Sequence, residues 1–474
     1  MRKSKALVAC GVVLVLAATA AAQSSGSSFE KVFAKASRAL ARIEFKIDAR
    51  LAPPERRINQ AVCIDTTSGW FLTIGIPRNI PPGELIDLFL VPPGQSTVRF
   101  KAKFLGTDPE VGISFLAPAD KKEWAKAKGR WTALAFSATS DLKLGQQVCS
   151  VGLLGPGSGN VPYMGIATVG AKLRLPDNLV YVSGGDLSVP SSPVLTADGR
   201  VVGLIAGQRP MEMRMLLNQR WVPVPTVSRQ TTRFFMPVEE FAHLLREIPS
   251  GPMATRKLAW AGVLQFREKL PAEEDVRPEL EGKAAVIVQK ILPRGAADKA
   301  GIEENDAIIA VDGKPLEEMG TPALTQQMFE RNLVNRKPGQ AVTFTLLRKK
   351  ERKDVKVTLD AMPTRPHHAA RYYDTRLGFV GRDLVLVDRY LGRSEPLREN
   401  GVRVMMVLKN SPIAVGKILP GDLITTVDKN PVPNVASLEQ VLGQIAKSNK
   451  TEADFVVVRK GKPEVMTVKL PATR

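Results

Sequence analysis

Nucleophilic or metal chemistry has few residues to draw on in this chain. Among its 474 residues, three are histidine (His243, His367, His368) and three are cysteine (Cys10, Cys63, Cys149). A serine becomes a nucleophile only beside a base whose pKa lies near working pH. The candidate serines, Ser191 and Ser192, stand in Ser188-Val189-Pro190-Ser191-Ser192-Pro193-Val194-Leu195, and no histidine precedes them anywhere in the chain. A lysine base is the remaining route to an active serine; the alternative is a plain turn leading into a strand from Val194 to Ile205. His243 falls in the amphipathic run from Pro237 to Leu245, which predicts a helix with the imidazole on its surface. His367 and His368 are adjacent in a Pro-rich stretch without a third ligand, a poor metal site, and neither metal nor cofactor is expected.

The elements that must hold these residues are those of a multidomain chain. Its length predicts about three domains, and a hydrophobic content of 44% suffices for ordinary cores. Arg2, Lys3 and Lys5 precede an apolar run from Ala6 to Ala18, then Ala20-Ala21-Ala22, which reads as a cleavable signal peptide over 1–22 and an exported, periplasmic or extracellular protein. Cys63 and Cys149 then fall on predicted strands, Ala61 to Ile64 and Gln147 to Val151. In an oxidising compartment they form either a disulfide, with about 4 kcal/mol from loop closure, or two separately buried thiols. The formal charge is +20, and subtracting Arg2, Lys3 and Lys5 leaves +17. Such an excess attracts anionic envelope polymers, lipid headgroups or acidic proteins. The densest basic run, Arg348-Lys349-Lys350-Glu351-Arg352-Lys353, reads as a solvated hairpin tip between two strands, and nothing resembles an aromatic-interleaved nucleic-acid surface.

Three segments carry a family resemblance. Gly69-Trp70-Phe71-Leu72-Thr73 is similar to the strand leading into the catalytic histidine of HtrA/Deg serine proteases, and Gly106-Thr107-Asp108-Pro109-Glu110 to the turn before their aspartate. Leu144-Gly145-Gln146-Gln147-Val148 with Ser150-Val151-Gly152, then Gly165-Ile166-Ala167, follow in the family's order. The resemblance implies a mainly β architecture, a trypsin-like double β-barrel over 23–248 followed by two α/β PDZ domains. It also assigns the triad positions: Ile76 for the general base, Gly112 for the orienting aspartate, Pro190 for the nucleophile. Isoleucine has no proton to exchange, and proline supplies neither a hydroxyl nor a backbone N–H for an oxyanion. Val189, Ser191 and Ser192 replace the family's Asn and two Gly around the nucleophile; glycine permits backbone angles that serine resists, so this turn is expected to depart from the oxyanion geometry.

Beyond the linker Pro249-Ser250-Gly251-Pro252 comes an imperfect repeat. Pro293-Arg294-Gly295-Ala296-Ala297 leading to Asp306-Ala307-Ile308-Ile309 is answered by Ser411-Pro412-Ile413-Ala414 leading to Gly421-Asp422-Leu423-Ile424. Both look like bacterial PDZ modules, expected over 254–362 and 370–474. Such a domain captures an extended peptide beside one strand and its terminal carboxylate in a nest of backbone N–H groups. The candidate loops are Gly262-Val263-Leu264 and Leu377-Gly378-Phe379-Val380, the latter faced by the helix carrying Leu438, Val441, Leu442 and Ile445. Near the start, Ser27-Ser28-Phe29-Glu30 offers a capping box before Val32, Phe33, Ala36 and Leu40. By the resemblance Phe29 and Phe33 build a homo-oligomer; by the residues alone they pack on their own barrel. The expectation is a secreted, non-catalytic HtrA-like protein that binds protein C-termini or extended peptides as adaptor, chaperone or regulator. The alternatives are a serine-type endopeptidase of envelope quality control using an unconventional site, and a charge-driven binder of anionic surfaces.

Overall fold

The computed structural model describes residues 28–48, 50–77, 80, 82–95, 97–139, 141–174, 177–206, 212–217, 220–225, 234–249, 251, 256–270, 272–390 and 397–471. The signal-peptide reading over 1–22, Cys10, and Ser250 and Pro252 of the linker lie outside them. The chain divides into two compact units, one of Met1–Ile47 with Arg56–Arg256, the other of Asp48–Glu55 with Lys257–Arg474.

The first unit holds two closed barrels. In the first, β1 (Leu40–Ile47), β2 (Glu55–Asp65), β3 (Trp70–Thr73), β4 (Leu85–Val91), β5 (Phe100–Thr107) and β6 (Ser114–Pro118) close in the order β1-β2-β3-β6-β5-β4. The second is built from β7 (Gln147–Leu153), β8 (Pro162–Arg174), β9 (Asn178–Ser183), β10 (Pro193–Thr196) and β11 (Val201–Leu204). A separate hairpin follows, β12 (Glu212–Leu217) with β13 (Arg220–Pro225), before β14 (Phe234–Pro237) completes the second barrel.

Period-two alternation explains how the barrels pack on each other, because successive side chains of a strand point to opposite faces. Ala61, Cys63, Phe71 and Leu116 turn into the first barrel. Their neighbours Val62, Leu72 and Phe115 turn out into a shared cluster that also receives Cys149, Val151, Leu195 and Leu204 of the second. Val148, Val194, Val202 and Phe235 fill the second barrel's own interior. A helix over residues 28–37 adds Phe29, Val32 and Ala36 to the shared cluster, and Ser28 Oγ donates to the Ala197 carbonyl. Phe29 thus packs on its own barrels, while Ser27 of the expected capping box is outside the described residues.

Two expectations need correction. The run after Pro237 is not an α-helix but a 3₁₀ turn over Val238–Glu240 followed by further turns, with i to i−3 bonds such as Phe241 N–H to the Val238 carbonyl at 3.0 Å. Phe241 and Leu244 are buried three residues apart, which that tighter winding places on one face. Cys63 and Cys149 are free, buried thiols, so the disulfide alternative falls. One faces the first barrel's interior and the other the shared cluster, and burial pushes both thiols up to about 12.

The second unit holds two sheets of matching plan. In the first, β15 (Ala259–Trp260) pairs with β22 (Asp360–Ala361). Between them β16 (Val263–Glu268), β17 (Val286–Ile291), β18 (Ala307–Val311), β20 (Ala341–Arg348) and β21 (Glu351–Thr358) form a sheet in that order, with β19 (Lys314–Pro315) on β18. In the second, the order is β23 (Arg371–Asp374), β24 (Phe379–Asp383), β25 (Val402–Val407), β26 (Leu423–Val427), β28 (Glu452–Arg459) and β29 (Lys462–Lys469), with β27 (Asn430–Pro431) on β26. Each sheet carries one long helix, Pro322–Val334 capped by Thr321 and Val435–Ala446 capped by Asn434.

Candidate functional site

The three triad-matched positions converge on one rim of the barrel pair. Ile76 follows the end of β3, Gly112 precedes β6, and those strands pair with Thr73 opposite Ser114. The turn containing Pro190 reaches the same place: Ser191 Oγ lies 3.2 Å from Thr73 Oγ1 and accepts the Ile74 N–H at 2.8 Å. Ile76 is buried in the first barrel's core with Phe71 and Leu116. Gly112 sits at φ 77°, where a Cβ is strained. Its N–H donates to the Asp108 carbonyl, in a turn that Asp108 Oδ1 holds by accepting from Glu110 and Val111, while Asp108 Oδ2 pairs with Arg256 at 3.2 Å.

The turn matched to the nucleophile is closed by its own hydrogen bonds, and the Ser188 N–H donates to Ser150 Oγ at 2.7 Å. Pro190 has no N–H. The Ser191 N–H donates to the Ile205 carbonyl at 2.8 Å, and the Ser192 N–H to the Val189 carbonyl at 3.1 Å. Ser192 Oγ, fully buried, accepts from Gln60 Nε2 at 3.0 Å, and Gln60 Oε1 accepts the Leu153 N–H. Among the described residues, neither serine hydroxyl meets a histidine or lysine; His243 is exposed on its turn. Ser191 adopts φ 69°, the left-handed region that serine resists, and its bonds to Thr73 and Ile74 hold it there.

The PDZ loops show why glycine stands in each. Gly262 is at φ 78°, and a Cβ on it would come within 2.6 Å of the Ala296 nitrogen. Gly378 is at φ 76°, and its Cβ would meet that of Ser411 at 2.4 Å. The carbonyls of both accept from equivalent residues, Leu292 N–H and Leu408 N–H. Val263 and Leu264 begin β16, which among the described residues pairs only with β17 and so leaves one edge open beside the Pro322–Val334 helix. Gln326 of that helix donates across to the Phe266 carbonyl at 3.1 Å, and Phe266 meets Phe329 edge-on. Glu330, sunk beside Gln326, has its carboxyl raised by burial.

The second groove differs. Leu377, Phe379, Val380, Leu438, Val441, Leu442 and Ile445 are all buried, and β24 carries β23 on the edge that β16 leaves open. Asp374, which ends β23, is buried; its Oδ1 accepts from Arg376 N–H at 2.9 Å and Leu377 N–H at 2.8 Å, and its carbonyl accepts from Gly378 N–H. Sequence reasoning missed Tyr372 and Asp374. The available signal was an acidic residue four before the loop glycine, where the first module has Leu258.

A double barrel followed by PDZ sheets defines the class: this chain has the HtrA/DegP-like serine-protease fold with PDZ domains. The PDZ domain family matches residues 267–359 and 384–470. The chain is similar to a probable periplasmic serine endoprotease DegP-like of Ectopseudomonas mendocina, 22% identical over 380 residues, 78% of this chain and 72% of that one. A protein of the same description from Bartonella henselae is 23% identical over 358 residues, covering 74% of this chain and 63% of the relative. In structure it is similar to the HtrA-type protease AlgW with tripeptide, at a TM-score of 0.51 and 14% identity, covering 71% of this chain and 98% of that one.

Proposed function

We propose that this protein is a non-catalytic HtrA-like peptide binder of the cell envelope, acting as adaptor, chaperone or regulator through its PDZ modules. The observation that carries the reading is the turn at Pro190: the residue matched to the nucleophile is a proline with neither hydroxyl nor N–H, and the N–H two residues before it, at Ser188, is spent on Ser150 Oγ at 2.7 Å. Catalysis by acyl transfer needs a nucleophile, a base and free oxyanion donors together. Ile76 offers no base, and Gly112 no carboxylate. The relatives named periplasmic support an envelope setting, and the peptide-bound AlgW structure supports peptide capture. Both relatives are also named endoproteases, so the rival reading is proteolysis through Ser191 or Ser192.

The test is direct. The purified protein is expected neither to cleave an unfolded protein nor to be labelled by a serine-directed covalent probe. It is expected to bind apolar peptides with free C-termini, and amidation should weaken binding about tenfold, because hydrogen bonds to a charged group contribute about 1.5–3 kcal/mol. Labelling that disappears in Ser191→Ala or Ser192→Ala would establish the protease instead.

A further inference from the structure

In the second PDZ module the chain covers the edge of β24 with its own β23. In the first module the residues before the loop glycine turn away to the far end of the sheet, where Ala259 pairs with Ala361 and Leu258 accepts the Met362 N–H at 2.8 Å. In the second module the equivalent segment folds back as a hairpin, antiparallel to β24, with Tyr373 opposite Val380 and Asp374 opposite Phe379. That is the edge and direction in which a strand-adding ligand docks, its end pointing at the Gly-hydrophobic loop. Tyr372 lies against the cluster built by Phe379 and by Leu438, Val441 and Leu442 of the Val435–Ala446 helix, its ring 6.3 Å from that of Phe379.

The terminal group matches as well. A captured peptide presents a carboxylate to the loop N–H groups. Here the Asp374 side chain, 1% exposed, takes the Arg376 and Leu377 N–H groups, its carbonyl takes that of Gly378, and Oδ2 accepts from Tyr372 Oη at 3.0 Å and pairs with Arg376 at 3.3 Å. We propose that Arg371–Asp374 is a tethered ligand of the second PDZ groove, with Asp374 in the seat of a peptide carboxylate. The groove then admits an incoming chain only by exchange, and its occupant states the chemistry it selects: an extended segment with an aromatic residue two before a carboxylate. A groove open for a small fraction of the time binds weakly in proportion to that fraction.

Hydrogen exchange on the full chain tests the tether without reference to any partner, so it stands or falls apart from the peptide-binding proposal above. In the variant Tyr372→Ala/Asp374→Asn, amides of residues 371–374 and Leu377 are expected to exchange about tenfold faster or more, with those of β25 and β26 unchanged. The probe is a fluorescent, amidated hexapeptide with the sequence of residues 369–374. It should bind this variant about tenfold more tightly than the native chain, in line with release of the occupied fraction. Equal protection of residues 371–374 in variant and native chain, or equal affinity, overturns the proposal. Should the variant lose protection in β25 and β26 as well, the native chain decides: the peptide in excess must accelerate exchange at 371–374 alone, and unchanged exchange there overturns the proposal.

Discussion

Ser191 holds a left-handed backbone angle that costs a non-glycine residue about 1–2 kcal/mol, and its own hydroxyl offsets the cost. Oγ accepts the Ile74 N–H and meets Thr73 Oγ1, two interactions that glycine in the same place would lack. The strain and the bonds therefore trade against each other, which sets an order among variants. Ser191→Gly relieves the angle while giving up the bonds, and is expected to change stability by less than about 1 kcal/mol. Ser191→Ala keeps the angle and leaves the Ile74 N–H unpaired, and should cost about 2 kcal/mol. Urea unfolding of the two variants reads the difference, and a less stable glycine variant would refute the account. Side-chain substitutions alone are accordingly not expected to build a protease here. An aspartate at position 112 meets φ 77°, a histidine at position 76 enters a packed core, and the Ser188 N–H, two before position 190, remains bonded to Ser150 Oγ.

At the scale of elements, the two PDZ modules repeat one ion pair that the sequence repeat only hinted at. Asp306 and Asp422 each accept a local N–H, from Glu303 and Leu419, and each pairs with the last arginine of a hairpin strand, Arg348 and Arg459, at 2.7 Å. Those arginines also donate to the Gly301 and Lys417 carbonyls, so one guanidinium ties the turn before β18 or β26 to the hairpin behind it. Removing either carboxylate leaves a local N–H and a guanidinium donor without their buried acceptor, while Glu303 and Glu464 still meet the arginine charge, so Asp306→Ala and Asp422→Ala should each lower stability by about 2 kcal/mol. Calorimetry of both variants checks this, and a loss under about 1 kcal/mol in either would show that the pair is solvated after all. The repeat was legible because Asp306-Ala-Ile-Ile and Asp422-Leu-Ile-Thr each set an apolar run directly behind an aspartate, and both runs begin buried strands. The barrel strands were legible through the resemblance of residues 69–73, 106–110 and 144–152 to the family's segments. The hairpin of β23 on β24 was not, because pairing partners are set by long-range packing: Arg-Tyr-Tyr-Asp fits either end of a sheet, and only the half-buried Tyr372 and the buried Asp374 decide which. The turns after Pro237 failed for a related reason, since apolar residues three apart suit a 3₁₀ winding as well as an α-helix.

For the molecule as a whole, the excess of +20 has to be set against the grooves as the source of binding. The densest basic run turns out to be built into a hairpin: Arg348 is committed to Asp306 and Glu303, Lys353 lies 3.6 Å from Glu351, and Lys349 and Lys350 form the tip with φ of 47° and 70°. Arg348 is thus built into the fold, while Lys349, Lys350, Arg352 and Lys353 are exposed on a solvated tip. A diffuse positive field acts through solvent and fades as the screening length falls from about 10 Å at 0.1 M salt to about 3 Å at 1 M. Groove binding instead rests on strand hydrogen bonds and buried apolar contacts, which salt hardly touches; only the terminal carboxylate adds a charge, and it is met by short-range backbone donors. Affinity for a peptide with a free, apolar C-terminus is therefore expected to change by less than about threefold between about 0.1 and about 0.5 M salt, measured by fluorescence titration. Binding to vesicles of anionic lipid should fall by about tenfold or more over the same range. Parallel collapse of both would assign peptide binding to the surface field and leave the PDZ grooves without a ligand of their own.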